Sequence, residues 1–232
     1  MATGRSAPSG DEPSALGQAV LFGQQIVEVE RQIQHLTDLL SDLRRGERDW
    51  LAGARGEQSV VRVLVGMDDA GWHVLPDRRW PGTRNANIDV LVVGPAGVFV
   101  IDVKNWRDFR VEGGRLFRGQ ADADDELRKL TDQTEAVEQV LVDAGLPPTE
   151  VVPLLVMAGR GAVRFHLDRV TILGERDLTL DLLRRGVRLD AATVEVVLEH
   201  LERSVGTHRW LTSVSTSTTG RTRSTRSSRG GA

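Results

Sequence analysis

Apolar residues recur in steps of three and four between Ser14 and Arg45, at Ala19, Phe22, Ile26, Val29, Ile33, Leu36, Leu40 and Leu43. That spacing puts them on one stripe of a helix and makes an a/d heptad seam. Two readings fit the seam: a short coiled coil, which leaves room for a homodimer through residues 19–43, or a long helix that packs its stripe on its own domain. A second helix is predicted over residues 47–69, where Trp50, Leu51, Ala54, Val61, Leu64 and Val65 keep helical spacing up to the breaker "DDAGW". The apolar runs then shorten. Strands are predicted at 72–75, 88–93 and 98–103, followed by a hairpin at 109–117 that turns on Gly113 and Gly114. Residues 122–145 return to helical spacing and open on acids, which suit the positive end of a helix dipole. Strands at 151–159 and 169–173 and helices at 175–186 and 190–204 complete the order. Such an order defines a mixed α/β (α+β) sheet domain with helices on its faces.

The chain of 232 residues, 40% of them hydrophobic, suffices for one sizeable core. The expected organisation is an unstructured start at 1–13, an amphipathic helix at 14–45, a globular domain at 46–206 and an unstructured Ser/Thr/Arg-rich tail at 212–232. No run approaches the roughly 20 apolar residues that cross a bilayer, and residues 1–13 lack the apolar centre of a signal peptide. A soluble cytoplasmic protein with no membrane partner is the expectation. Without cysteine there is no disulfide, no thiolate ligand and no Cys nucleophile. His35, His73, His166, His200 and His208 are scattered, and no metal-binding pair stands out. The net charge of −3 is uneven, since the tail holds four arginines and no acid and leaves −7 on the remainder. Any contact with a polyanion is therefore local.

Charge inside an apolar strand is the next signal. The run "VFVIDVKNW" carries Asp102 and Lys104 two places apart, so both project from the same face as Val98 and Val100. The preceding run "NIDVLVV" joins it through "GPAG" at 94–97, which predicts an antiparallel hairpin. If Val93 pairs with Val98, Asp89 falls opposite Asp102 and Asn87 opposite Lys104. Opposite residues share a face with Cβ atoms about 4.5–5.5 Å apart, so the two carboxylates repel unless one is protonated or a cation sits between them. Mg²⁺, or Mn²⁺ in its place, suits two carboxylates completed by water and phosphate. A lysine beside such an ion can neutralise charge that grows on a phosphodiester under attack. The plainer alternative is a structural pair in which Lys104 neutralises Asp102 and a bulge turns Asp89 away.

The span "NANIDVLVVGPAGVFVIDVKNW" at 85–106 resembles the NERD (nuclease-related) domain, a branch of the PD-(D/E)xK, restriction-endonuclease-like superfamily. The resemblance covers about residues 50–186 and implies a restriction-endonuclease-like core with a metal-dependent nuclease site. It assigns the strand acids and lysine of the family to Asp89, Asp102 and Lys104. Through "GARGEQSVVRVL" it makes Glu57 a third carboxylate that supports the metal or a water, and it matches Gln133 to a glutamine on the helix after the sheet. That glutamine either contacts substrate or caps a strand carbonyl. Two positions depart from the pattern: Asp102 stands where this family more often has Glu, and Val90 where it often has His.

The implied function is hydrolysis of phosphodiester bonds in DNA, with RNA not excluded and Mg²⁺ as cofactor. Arg78, Arg79 and Arg84 in "PDRRWPGTRN", with Trp106 and Arg107 just past Lys104, are candidate nucleic-acid contacts, because arginine binds phosphate and tryptophan can stack on a base. The arginine tail is a further candidate for sequence-independent phosphate binding. Alternatives are a non-catalytic nucleic-acid-binding or oligomeric scaffold on the same fold, and a network of charges that only stabilises it.

Overall fold

The computed structural model describes residues 14–84 and 86–207. The segments expected to be unstructured, 1–13 and 212–232, lie outside these residues, as do the arginine tail and His208. The chain divides into two units, with the boundary between Leu51 and Ala52.

Where the sequence predicts two helices, one unbroken helix α1 spans Ala15–Val65. Gly46 accounts for the difference. A helical glycine costs about 1 kcal/mol relative to alanine, which weakens a helix without ending it, and no proline follows to end it. Taken by itself, the first unit has its heptad stripe exposed, with Ile33 at 58% and Leu36 at 60%.

In the second unit, α1 gives way to a 3-10 turn at Asp68–Ala70. Strands β1 (His73–Arg79), β2 (Asn87–Gly94) and β3 (Gly97–Lys104) then form an antiparallel meander. A small antiparallel sheet of β4 (Phe109–Glu112), β5 (Arg115–Arg118) and β6 (Ala121–Asp122) follows. Next come α2 (Asp124–Asp143), β7 (Val151–Met157), β8 (Arg164–Leu167), β9 (Val170–Gly174), α3 (Glu175–Arg184) and α4 (Ala191–Ser204). The main sheet has the order β1-β2-β3-β7-β9-β8, with β3, β7 and β9 parallel and the outer pairs antiparallel. The mixed α/β architecture expected from the sequence is thus observed. No described helix is long and apolar enough to cross a membrane.

Each face of the sheet has its own core. Val98 and Val100 join Leu130, Val137, Val197 and Leu201 of α2 and α4 on one side. Phe99, Ile101 and Val103 join Val60 and Leu64 of α1 and Leu178 and Leu182 of α3 on the other. Alternation along β3 therefore directs Asp102 and Lys104 toward the α2 layer.

The β2–β3 register is the one the apolar pattern predicts, with Val93 opposite Val98 and Val90 opposite Ile101. Gly94 and Gly97 themselves pair, which shortens the turn to Pro95 and Ala96. Gly97 has φ 127°, and a Cβ there would lie 2.8 Å from the carbonyl oxygen of Glu150, so no larger residue fits without displacing the backbone.

Candidate active site

Past Val90 and Ile101 the β2–β3 ladder gives way to side chains. Asp89 Oδ2 accepts a hydrogen bond from the Val103 amide at 2.9 Å, so a carboxylate takes the place of a strand carbonyl. Asn87 does not sit opposite Lys104. It pairs with Arg79 of β1, and its side-chain amide donates to Asp77 Oδ1 at 2.9 Å. The end of β2 is thereby drawn toward β1, leaving Asp89 as its link to β3.

Lys104 Nζ lies 2.8 Å from Asp102 Oδ2 and 3.2 Å from Oδ1, and 2.9 Å from Glu126 Oε2 in the first turn of α2. Lys129, one turn along α2, holds its ammonium 4.0 Å from Asp102 Oδ1. The Asp102 side chain is only 3% exposed and that of Lys104 only 15%. Glu126, Lys129 and Asp77 belong to this cluster although the sequence gives little sign of them. The acidic run that opens α2 reads most simply as a helix start. Asp77 follows from the β1–β2 register, which sets it level with Asp89 once β1 is known to pair there.

Helix α1 completes the enclosure. Gly56 is buried, and a Cβ on it would stand 3.1 Å from Ala158 Cβ and 3.3 Å from Asn105 Cβ, so glycine allows the helix to approach the ends of β3 and β7 closely. Asn105 donates to the Ala52 carbonyl at 2.8 Å and fixes that approach. Glu57, the next residue, comes within electrostatic reach of Asp77, Asp102 and Lys104.

These acids oppose each other's ionisation. Removal from water pushes the Asp89 pKa up to about 7; Asp102 and, to a smaller extent, Glu57 add to the rise, against the Val103 N–H and Lys104. Burial also raises the pKa of Glu57, with Asp77 and Asp102 contributing and Lys104 opposing. For Lys104 burial acts against the charge, but Asp102 and Glu126 outweigh it and hold the ammonium above the usual lysine range. One lysine thus serves several carboxylates.

Does this donor set fit a divalent ion? Among the described residues no three acid or histidine side chains converge as a ligand cluster. Two adjacent carboxylates are still the number of protein ligands that Mg²⁺ commonly takes when water and phosphate supply the rest. The chemistry of Asp89 and Asp102 fits that mode of binding.

Gln133 is 2% exposed, and its amide donates to the Asn87 carbonyl at 2.9 Å. Of the two roles open to it, the structure displays the strand cap, which anchors the segment leading to Asp89. Gln133→Ala is expected to lower unfolding stability by about 1–3 kcal/mol, because it leaves a partly buried carbonyl without its donor. Urea titration measures this directly.

Among the candidate nucleic-acid contacts, Trp106 is a core residue at 8% exposure, with the Arg118 guanidinium 5.7 Å from its ring centroid. It offers no free face to a base, contrary to the expectation from its position beside Lys104, because the apolar core claims its ring. Arg78 is partly buried, with a buried Nε that lacks a hydrogen bond, and its backbone bridges to Thr207. Arg79, Arg84 and Arg107 are exposed.

The mixed sheet thus gathers carboxylates and a lysine at the ends of adjacent strands. Residues 52–158 match the family model described as "Nuclease-related domain" (NERD), so this part of the chain is similar to that family. The PD-(D/E)xK superfamily is the general context of that family. Comparison with curated proteins and with solved structures gives no significant match.

Proposed function

We propose that this site hydrolyses phosphodiester bonds of DNA with the help of Mg²⁺, for which Mn²⁺ can substitute. The observation that carries the reading is the surplus of carboxylate over cation where β2 and β3 end. Asp89 is enclosed beside Asp102, and their close lysine is shared with Glu126. A purely stabilising pair needs one acid for one base.

Asp89 and Asp102 would hold the ion, which when bound supplies Lewis acidity toward a phosphate oxygen and acidifies a water. Lys104 neutralises negative charge on the phosphate as the transition state develops, a task for which its ammonium is held protonated at any working pH. Glu126 shares Lys104 with Asp102 and yields that ammonium to the phosphate when substrate arrives. Glu57 positions water or ion at the rim, and Gln133 keeps the β2 end in place. Exposed Arg79, Arg84 and Arg107 hold the flanking backbone, and each loss lowers the slope of log affinity against log salt by about one.

A second reading, a nucleic-acid binder that does not cut, draws on the same Lys104, which is fully engaged by Asp102 and Glu126. The deciding experiment titrates Mg²⁺ and Mn²⁺ against single-stranded, double-stranded and branched DNA and a matched RNA, with Asp102→Ala as control. Metal-dependent cleavage lost in the control supports hydrolysis. Binding without cleavage at every metal concentration supports the second reading, and cleavage of RNA alone replaces the substrate.

A further inference from the structure

We infer that the first unit is a parallel, in-register, two-stranded coiled coil whose partner is a second copy of this chain. The seam residues of α1 are exposed throughout, with Phe22 at 62%, Ile26 at 58%, Val29 at 51%, Leu40 at 47% and Leu43 at 63%. From Ala19 to Leu43 they run for about 36 Å along the helix. Residues of this kind exposed in a continuous stripe mark an interface.

The heptad assignment places Ala19, Ile26, Ile33 and Leu40 at a, and Phe22, Val29, Leu36 and Leu43 at d. Two of the central a positions are β-branched and two d positions are leucine, the combination that favours two parallel strands. The flanking positions point the same way. In a parallel pair each g residue meets the e residue five places on in the partner, which sets Gln25 beside Glu30, Gln32 beside Thr37 and Leu39 beside Arg44, with no like charges opposed. A fully overlapped antiparallel pair, centred on Arg31, sets Glu30 beside its own copy at the middle of the seam. That juxtaposition of like charge disfavours the antiparallel arrangement.

Two nuclease-related domains are then carried by each particle. The association needs neither metal nor nucleic acid, so it stands or falls separately from hydrolysis.

The test uses the full chain. Light scattering after gel filtration is expected to give twice the chain mass of 25.5 kDa, and Ile33→Asp is expected to return it to a single chain mass. A single-chain mass for the parent at micromolar concentration overturns the inference. So does a mass of three or four copies, which would engage Val20 and Val27 as a second apolar stripe. Because the chain has no cysteine, introduced thiols report orientation without interference. Ile26→Cys alone is expected to form a disulfide-linked dimer on mild oxidation. Cross-linking that appears only when Ile26→Cys and Leu36→Cys chains are mixed shows the antiparallel pair and overturns the parallel one.

Discussion

Lys104→Ala is expected to abolish metal-dependent cleavage, with kcat falling by at least about a hundredfold, the loss typical of removing one group that stabilises transition-state charge. Lys129 is the nearest replacement, but its ammonium stands 4.0 Å from Asp102 and on the helix rather than at the strand end. The same substitution removes the close cation from a carboxylate whose side chain is only 3% exposed, and breaking a buried pair from one side costs about 3–5 kcal/mol. Cleavage must therefore be compared at a temperature where circular dichroism shows the variant folded. Glu126→Gln provides the matched control. It takes the outer partner from Lys104, leaves the Asp102 contact intact, and should cost less than about 1 kcal/mol because Glu126 is about one-third exposed. Robust cleavage by a folded Lys104→Ala variant under matched metal would take the lysine out of its assigned role.

Asp89→Asn is expected to lose both Mn²⁺ binding and cleavage while leaving the metal-free protein as stable as the parent, or more so, at pH 8. The folded-state pKa of Asp89 is raised to about 7 from an ordinary value of 3.8. The folded chain therefore binds more protons between those values, and stability conferred at low pH falls as pH rises across that window and then levels off. The resulting penalty is on the order of 2–4 kcal/mol, and asparagine does not incur it. Asparagine also keeps an oxygen that can accept from the Val103 amide. Urea denaturation in the presence of chelator at pH 4.5, 6 and 8 should show the stability difference moving in favour of Asp89→Asn as pH rises. A variant markedly less stable than the parent at pH 8 would mean that Asp89 serves a stabilising network instead.

Much of this site could be read from the order of residues because β-hairpins make register local. Two apolar runs and the short link "GPAG" suffice to align Val93 with Val98, but the pairing ends at Val90 and Ile101, and Asp89 reaches β3 through its side chain at the Val103 amide rather than by sitting paired opposite Asp102. Helix α2 was legible for a similar reason, since its apolar face alone places Gln133 toward the sheet. Glu126 and Lys129 were not, because their contact with Lys104 and Asp102 depends on how far α2 slides along the sheet. No local pattern encodes that distance. Trp106 illustrates the opposite error: adjacency to Lys104 suggested a surface role, whereas the ring completes the α2 side of the core. The single helix α1 was hidden by Gly46, whose weak local penalty is easily overridden.

The apolar sequence of β3 has a consequence for folding fidelity that is separate from catalysis. Val98 to Ile101 are all hydrophobic, and both faces of the strand are buried, so packing energy alone discriminates poorly against a slip of one residue. Asp102 and Lys104 do discriminate. A shifted strand would turn both charges toward the layer of Phe99, Ile101 and Leu178 and take each from its present partner. The ion pair thus acts as a proofreading mark on the strand, rejecting alignments that the valines would accept. A chain with its hydrolytic chemistry removed would still depend on that mark to assemble its central sheet in a single way.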